Sequence, residues 1–121
     1  MSWDRRAWIV LAALSGFIAV IMGASAAHGV ADPKTAELLK TGAQYEAIHA
    51  LAVLACAALI TEGLPPILFL AGTVLFSGSL YALAAGAPGW VGMITPLGGL
   101  LFLGGWLSLA WAGWRENAPS A

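Results

Sequence analysis

The chain has 121 residues, 60% of them hydrophobic and only 9% charged, whereas a soluble domain carries roughly 25% charged residues. That excludes an ordinary soluble fold, and five Lys and Arg against six Asp and Glu, a net charge of -1, are too few cations to neutralise a run of phosphates, so nucleic-acid binding is set aside. Its one cysteine, Cys56, can close no intrachain disulfide, no CxxC or Cys/His spacing suggests zinc, and the length leaves room for a single domain over residues 1–121 that segments of about 20 apolar residues would fill as four membrane spans.

After the polar start at Ser2, Asp4, Arg5 and Arg6, no charge interrupts Ala7 to Ala27, which is long enough to cross a bilayer as a helix. Residues 31–44 carry Asp32, Lys34, Glu37 and Lys40, with Pro33 suited to a first helical turn, and predict a short interfacial helix. Span two covers about 45–61, apolar apart from Glu46 and His49, and Glu62-Gly63-Leu64-Pro65-Pro66 is expected to end it. Span three covers about 67–85 and closes on Gly86-Ala87-Pro88-Gly89; span four covers about 90–114, with a bend expected at Pro96, and the tail from Arg115 to Ala121 is expected to fray. These segments are apolar on every side, which a β-barrel strand with alternating faces is not. Arg5, Arg6, an apolar core and Ala24-Ser25-Ala26 also fit a cleavable signal, but the apolar stretch exceeds a signal core, and three further spans need a first partner, so span one is expected to stay.

Arg5, Arg6 and Arg115 fall on the terminal side and Lys34 and Lys40 on the other, a vote of three to two for cytoplasmic termini. Trp3, Trp8, Trp111 and Trp114 at one side, with Tyr45, Tyr81 and Trp90 at the other, fill two aromatic belts. Lipid tails are as apolar as Leu, so close backbone approach and interhelical hydrogen bonds must hold the helices together. Ala12, Gly16, Ala19, Gly23 and Ala27 form a small-residue stripe for that purpose, and Gly16→Leu or Gly23→Leu is expected to loosen the bundle.

Polar side chains inside a bilayer are costly, so each is a functional candidate. Counting residues from the expected span ends places His49 and Tyr81 about 6 Å, Thr95 about 7 Å and Ser77 about 12 Å inside one surface. His28, Gln44, Tyr45, Glu46, His49, Ser77, Ser79, Tyr81, Thr95 and Pro96 then gather in the half opposite the termini. The favoured reading is packing: His49, Gln44, Tyr81, Ser77 and Thr95 hydrogen-bond across helices and satisfy carbonyls freed by Pro96. A second makes them the vestibule of a small transport or proton pathway with Glu46 or His49 titrating. In a third, His28, Glu46 and His49 hold a metal, Glu46 and His49 being an ExxH pair on one helical face; haem between His28 and His49 comes last. Cys56 reads as a small core residue.

Gly23-Ala24-Ser25-Ala26-Ala27-His28-Gly29, Thr41-Gly42-Ala43-Gln44-Tyr45 with His49-Ala50-Leu51-Ala52, Leu75-Phe76-Ser77-Gly78-Ser79-Leu80-Tyr81 and Ile94-Thr95-Pro96-Leu97-Gly98-Gly99 stand in this order. Together they resemble the motifs of the small bacterial inner-membrane proteins of the DUF423 (UPF0382) family, related to eukaryotic transmembrane protein 256. The resemblance implies a retained first span, a four-helix inner-membrane protein and no established activity. That family's pattern carries other polar residues where Glu46 stands, which weakens the metal reading.

The expectation is an all-α, integral membrane four-helix bundle with a short interfacial helix between spans one and two, in a bacterial inner membrane. It is expected to be non-enzymatic and without a cofactor, a structural or assembly partner of other membrane proteins or of itself, surrounded by lipid. The alternative is an oligomeric transporter or channel for a small solute or proton that uses the cluster around His49.

Overall fold

The structure, a computed structural model, describes residues 4–116. Ser2, Trp3 and the tail beyond Glu116 lie outside the described residues. Helix α1 covers Arg5–His28, and Asp4 caps it by accepting from the amides of Arg6 and Ala7 at 3.1 and 3.4 Å. A carboxylate there satisfies amides that have no partner within the helix. Helix α2 covers Pro33–Leu59; the Asp32 carboxylate accepts from the Thr35 amide at 3.0 Å and its hydroxyl at 2.7 Å, with Pro33 in the first turn.

Residues 33–44 are therefore the first turns of one 27-residue helix rather than a separate interfacial helix. Nothing after Pro33 breaks the chain. Lys34, Glu37 and Lys40 are exposed while Leu39, Gly42 and Ala43 are buried, so an amphipathic beginning runs without interruption into an apolar continuation.

Helix α3 covers Leu64–Ala84 and takes Pro65 and Pro66, both buried, into its first turn. The two prolines start α3, where missing amide hydrogens cost nothing. Gly86, at φ 100°, turns the chain into a 3₁₀ segment at Gly89–Met93, and helix α4 covers Thr95–Glu116. Pro96 is the second residue of α4, so it opens the helix instead of bending it. Four helices among the described residues are long and apolar enough to cross a membrane.

Helix α1 packs along α2, α2 along α3, and α3 along α4, while α1 and α3 make no extended contact across α2. The core between them holds Ala12, Val53, Cys56, Phe69, Phe102 and Ala112. On α1 the small-residue stripe is Ala12, Ser15, Ala19 and Gly23. A Cβ on Gly23 would meet Ala43 at 3.6 Å, whereas one on Gly16 would meet nothing within 4 Å, and Ala27 is exposed. Loosening by Gly16→Leu is therefore not expected, since its side chain would enter open space.

The α3/α4 seam is built differently, from phenylalanine rings seated in glycine dents. A Cβ on Gly72 would run into Phe102, one on Gly105 into Phe69, and one on Gly98 into the Phe76 backbone. At the terminal end, Glu116 accepts from the Thr61 amide at 3.0 Å and hydroxyl at 2.8 Å, and Arg115 pairs with Glu62 at 3.0 Å, fastening the α2–α3 loop to α4.

Candidate functional site

Glu46 lies thirteen residues from each end of α2, and only 4% of it is exposed. A carboxyl so placed must find its hydrogen bonds within the protein. It takes them from two other helices: the Ser15 hydroxyl on α1 donates to Oε2 at 2.8 Å and the Tyr81 hydroxyl on α3 donates to Oε1 at 2.7 Å. Ser15 is ten residues from Arg5 and thirteen from His28, about 15 and 20 Å along the axis. The carboxyl is thus near the mid-depth of the helices. Tyr81 reaches it from only three residues inside the end of α3 because helical side chains lean toward the N-terminus, and its ring crosses α2 at Gly42, where a Cβ would stand 2.5 Å from Cε1.

His49 turns away from this group. A three-residue step rotates the side chain by about 60° around the axis, enough to aim Glu46 between α1 and α3 and His49 at α4. Nδ1 of His49 lies 2.7 Å from the Tyr45 carbonyl, and Nε2 lies 3.1 Å from Nε1 of Trp106. A carbonyl only accepts and an indole N–H only donates, so the pair specifies a neutral imidazole with its proton on Nδ1. The ring stacks on Phe102 at a centroid distance of 3.6 Å and 7°, with Phe69 and Trp106 at 5.5 and 5.8 Å.

The other candidates divide. Ser77, buried, donates to the Gly42 carbonyl at 2.7 Å and ties α3 to α2. Ser79 donates to the Phe76 carbonyl at 2.9 Å, so the 2.5 Å contact with Thr95 is donated by Thr95 and joins the start of α4 to α3. Tyr45 is 42% exposed, its ring against Phe76 at 4.5 Å, and it sits too far along α2 to belong to an aromatic belt. His28 and Gln44 are exposed and Pro96 faces outward; none of them joins the buried groups.

Glu46 and His49, each only 4% exposed, stand well inside the bundle. The cluster resolves into separate hydrogen-bonded groups: Glu46 with Ser15 and Tyr81, His49 with Tyr45 and Trp106, Ser77 with Gly42, and Ser79 with Thr95. His28 ends α1 while Glu46 and His49 diverge, so the three candidate ligands do not converge; among the described residues no three His, Cys, Asp or Glu side chains do. Sequence reasoning missed Ser15 and Trp106. Ser15 left a signal, as the only hydroxyl between Ala7 and Ala24, whereas Trp106 resembles any tryptophan on a lipid-facing helix.

Between α1 and α3, two adjoining clefts of about 370 and 250 Å³ both reach Glu46. Their walls are mostly apolar, from Leu11, Leu14 and Ile18 on one side and Leu70 and Val74 on the other, with Thr73 deeper.

The sequence profile described as "Protein of unknown function (DUF423)" matches residues 22–99. A UPF0382 membrane protein of Haemophilus influenzae is 41% identical over 94% of this chain and 98% of its own length. The UPF0382 inner membrane protein YgdD of Escherichia coli is 42% identical over 84% of each chain, and the UPF0382 membrane protein YwdK of Bacillus subtilis is 37% identical over 86% of this chain and 93% of its own. No solved structure matches. With four apolar helices and relatives of this similarity along most of its length, the chain belongs to the DUF423 family of membrane proteins, whose function is unknown.

Proposed function

We propose that the protein is a non-enzymatic structural partner of other integral membrane proteins, lying in a bacterial inner membrane with cytoplasmic termini and associating laterally within the bilayer. The observation that carries this reading is the unfilled groove between α1 and α3. In membranes, helix interfaces are rich in small residues because these let backbones approach. Gly78 lines the groove, and a Cβ added there would meet nothing within 4 Å; the same holds for Gly16 on α1 and Gly99 on α4. Large apolar side chains such as Leu14, Phe17 and Val74 are more than half exposed beside these glycines, a surface suited to another transmembrane helix.

Gentle extraction from the native membrane followed by native mass spectrometry tests the reading. The expected result is a discrete complex with one or a few other membrane proteins, weakened by Gly78→Leu. Recovery solely as a monomer or a homo-oligomer overturns it.

A further inference from the structure

We propose that Glu46 is a reversible proton-binding site reached from the hydrocarbon through the cleft between α1 and α3. This inference does not rest on the lateral-partner reading, but the two share one groove: proton exchange at the carboxyl is a property of the free chain, whose cleft is open, and a partner helix seated between α1 and α3 would cover it. It rests on three features of the group: its depth, its partners and its access.

Depth and partners come first. Glu46 is buried at the middle of α2, and both its oxygens accept from hydroxyls. No cation faces it. Helix α1 contributes Ser15 and no titratable group; α3 contributes Tyr81 as the one titratable neighbour; His49, on α2 itself, points to α4 and is occupied there by Tyr45 and Trp106. The single ion pair among the described residues is Arg115 with Glu62 at the far end.

Hydroxyls suit such a site better than amides or cations would. A serine or tyrosine hydroxyl both donates and accepts. The ionised carboxyl accepts from Ser15 and Tyr81 as found; the neutral acid donates its own proton to one of those oxygens, and Ser15 can then turn its hydrogen to a carbonyl of its own helix. Both protonation states are satisfied without repacking. A backbone N–H could only donate and would leave the acid proton without an acceptor, and a lysine or arginine would hold the carboxyl ionised.

Access is the third feature. The clefts of about 370 and 250 Å³ share Glu46, Ile18, Thr73 and Val74, and their outer walls, Leu14, Ile18 and Val74, are 55%, 41% and 69% exposed. An apolar reagent can therefore reach the carboxyl from the side of the bundle, which a carboxyl serving only as packing glue in a closed core would not allow.

Dicyclohexylcarbodiimide tests this directly. A protonated carboxyl adds across one C=N bond, its proton passing to nitrogen and its oxygen to the central carbon, and the adduct rearranges to a stable N-acylurea with nothing lost. The full chain in phosphatidylcholine nanodiscs would be labelled from about pH 4 to about pH 9 and mapped by mass spectrometry. We expect one adduct on Glu46 that falls at least roughly tenfold as pH rises, is absent in Glu46→Gln, and is not formed by a water-soluble carbodiimide that labels exposed Glu37. Ile18→Trp, which fills the cleft mouth, should cut labelling roughly tenfold at unchanged thermal stability. No adduct on Glu46, an adduct equal at every pH, or undiminished labelling of a folded Ile18→Trp variant overturns the proposal. Protection by sodium ions at fixed pH also overturns it, by assigning the site to a metal cation instead.

Discussion

Gly98→Ala tests how the α3/α4 seam is held. The added Cβ would stand 2.7 Å from both Cα and Cβ of Phe76, and closer still to its amide nitrogen, whereas ordinary contact begins near 3.4 Å. Helix α4 must therefore retreat by about 0.7 Å or more, and because the obstacle is backbone, no rotamer change relieves it. Such overpacking costs about 1–3 kcal/mol, and the retreat also lifts Phe102 from its seat on Gly72 and Phe69 from its seat on Gly105. Against it stands the gain of about 1 kcal/mol from replacing glycine by alanine within a helix. Gly78→Ala isolates that gain, since a Cβ there meets nothing within 4 Å. Unfolding of both variants in dodecyl-maltoside micelles titrated with dodecyl sulfate, followed by circular dichroism, should place Gly98→Ala about 1–3 kcal/mol below Gly78→Ala. Equal stabilities would refute the close-approach account of this seam.

Two further outcomes follow from hydrogen bonds. Trp106→Phe keeps an aromatic ring but removes the donor to Nε2 of His49; the expected loss is about 0.5–1.5 kcal/mol, and nitrogen-15 spectra of the imidazole should change from a single Nδ1–H tautomer to a mixture. A wild-type spectrum already mixed would contradict the assignment. Outside the spans, the Thr35 hydroxyl and then the Thr35 amide hold the Asp32 carboxyl below its ordinary value of 3.8. A depressed carboxyl stabilises the start of α2 above that ordinary value and loses the contribution as pH falls through its folded value. Carbon-13 titration should give Asp32 a midpoint below 3.8 that rises in Thr35→Val, and an unshifted midpoint would remove Asp32 as an acid-sensitive cap.

The helices themselves were legible because hydropathy measures the one quantity a bilayer selects, and all four spans expected from the sequence fall on helices. The boundaries were less so, and each error has a cause in local chemistry. Charges at Lys34, Glu37 and Lys40 look like an interruption when counted along the chain, yet they share the exposed side of an unbroken α2. Pro65 and Pro66 look like terminators and Pro96 like a bend, yet each occupies a first turn, where proline begins a helix as readily as it ends one. Proline alone does not tell which side of it the helix lies on. The small-residue stripe erred by one position in the same way, since Gly16 and Ser15 are both small and only packing decides that Ser15 faces α2.

The start of α2 bears on the site. With span two starting at Tyr45, Glu46 stands at a surface where water can solvate it and needs no partner from α1. With α2 starting at Pro33, Glu46 stands at the middle of the helix, buried against Ser15 of α1, and an unpaired carboxyl there would cost several kcal/mol. The sequence offers few donors at that depth. On α1 the only hydroxyl before Ser25 is Ser15, and on α3 a tyrosine near the far end has the length to reach inward. Once the helix boundary is corrected, the demand of one buried carboxyl selects both of its partners, and the clefts beside it follow from the same contact: Ser15 and Tyr81 meet Glu46 from helices that do not otherwise pack together, which leaves the space between them open to lipid.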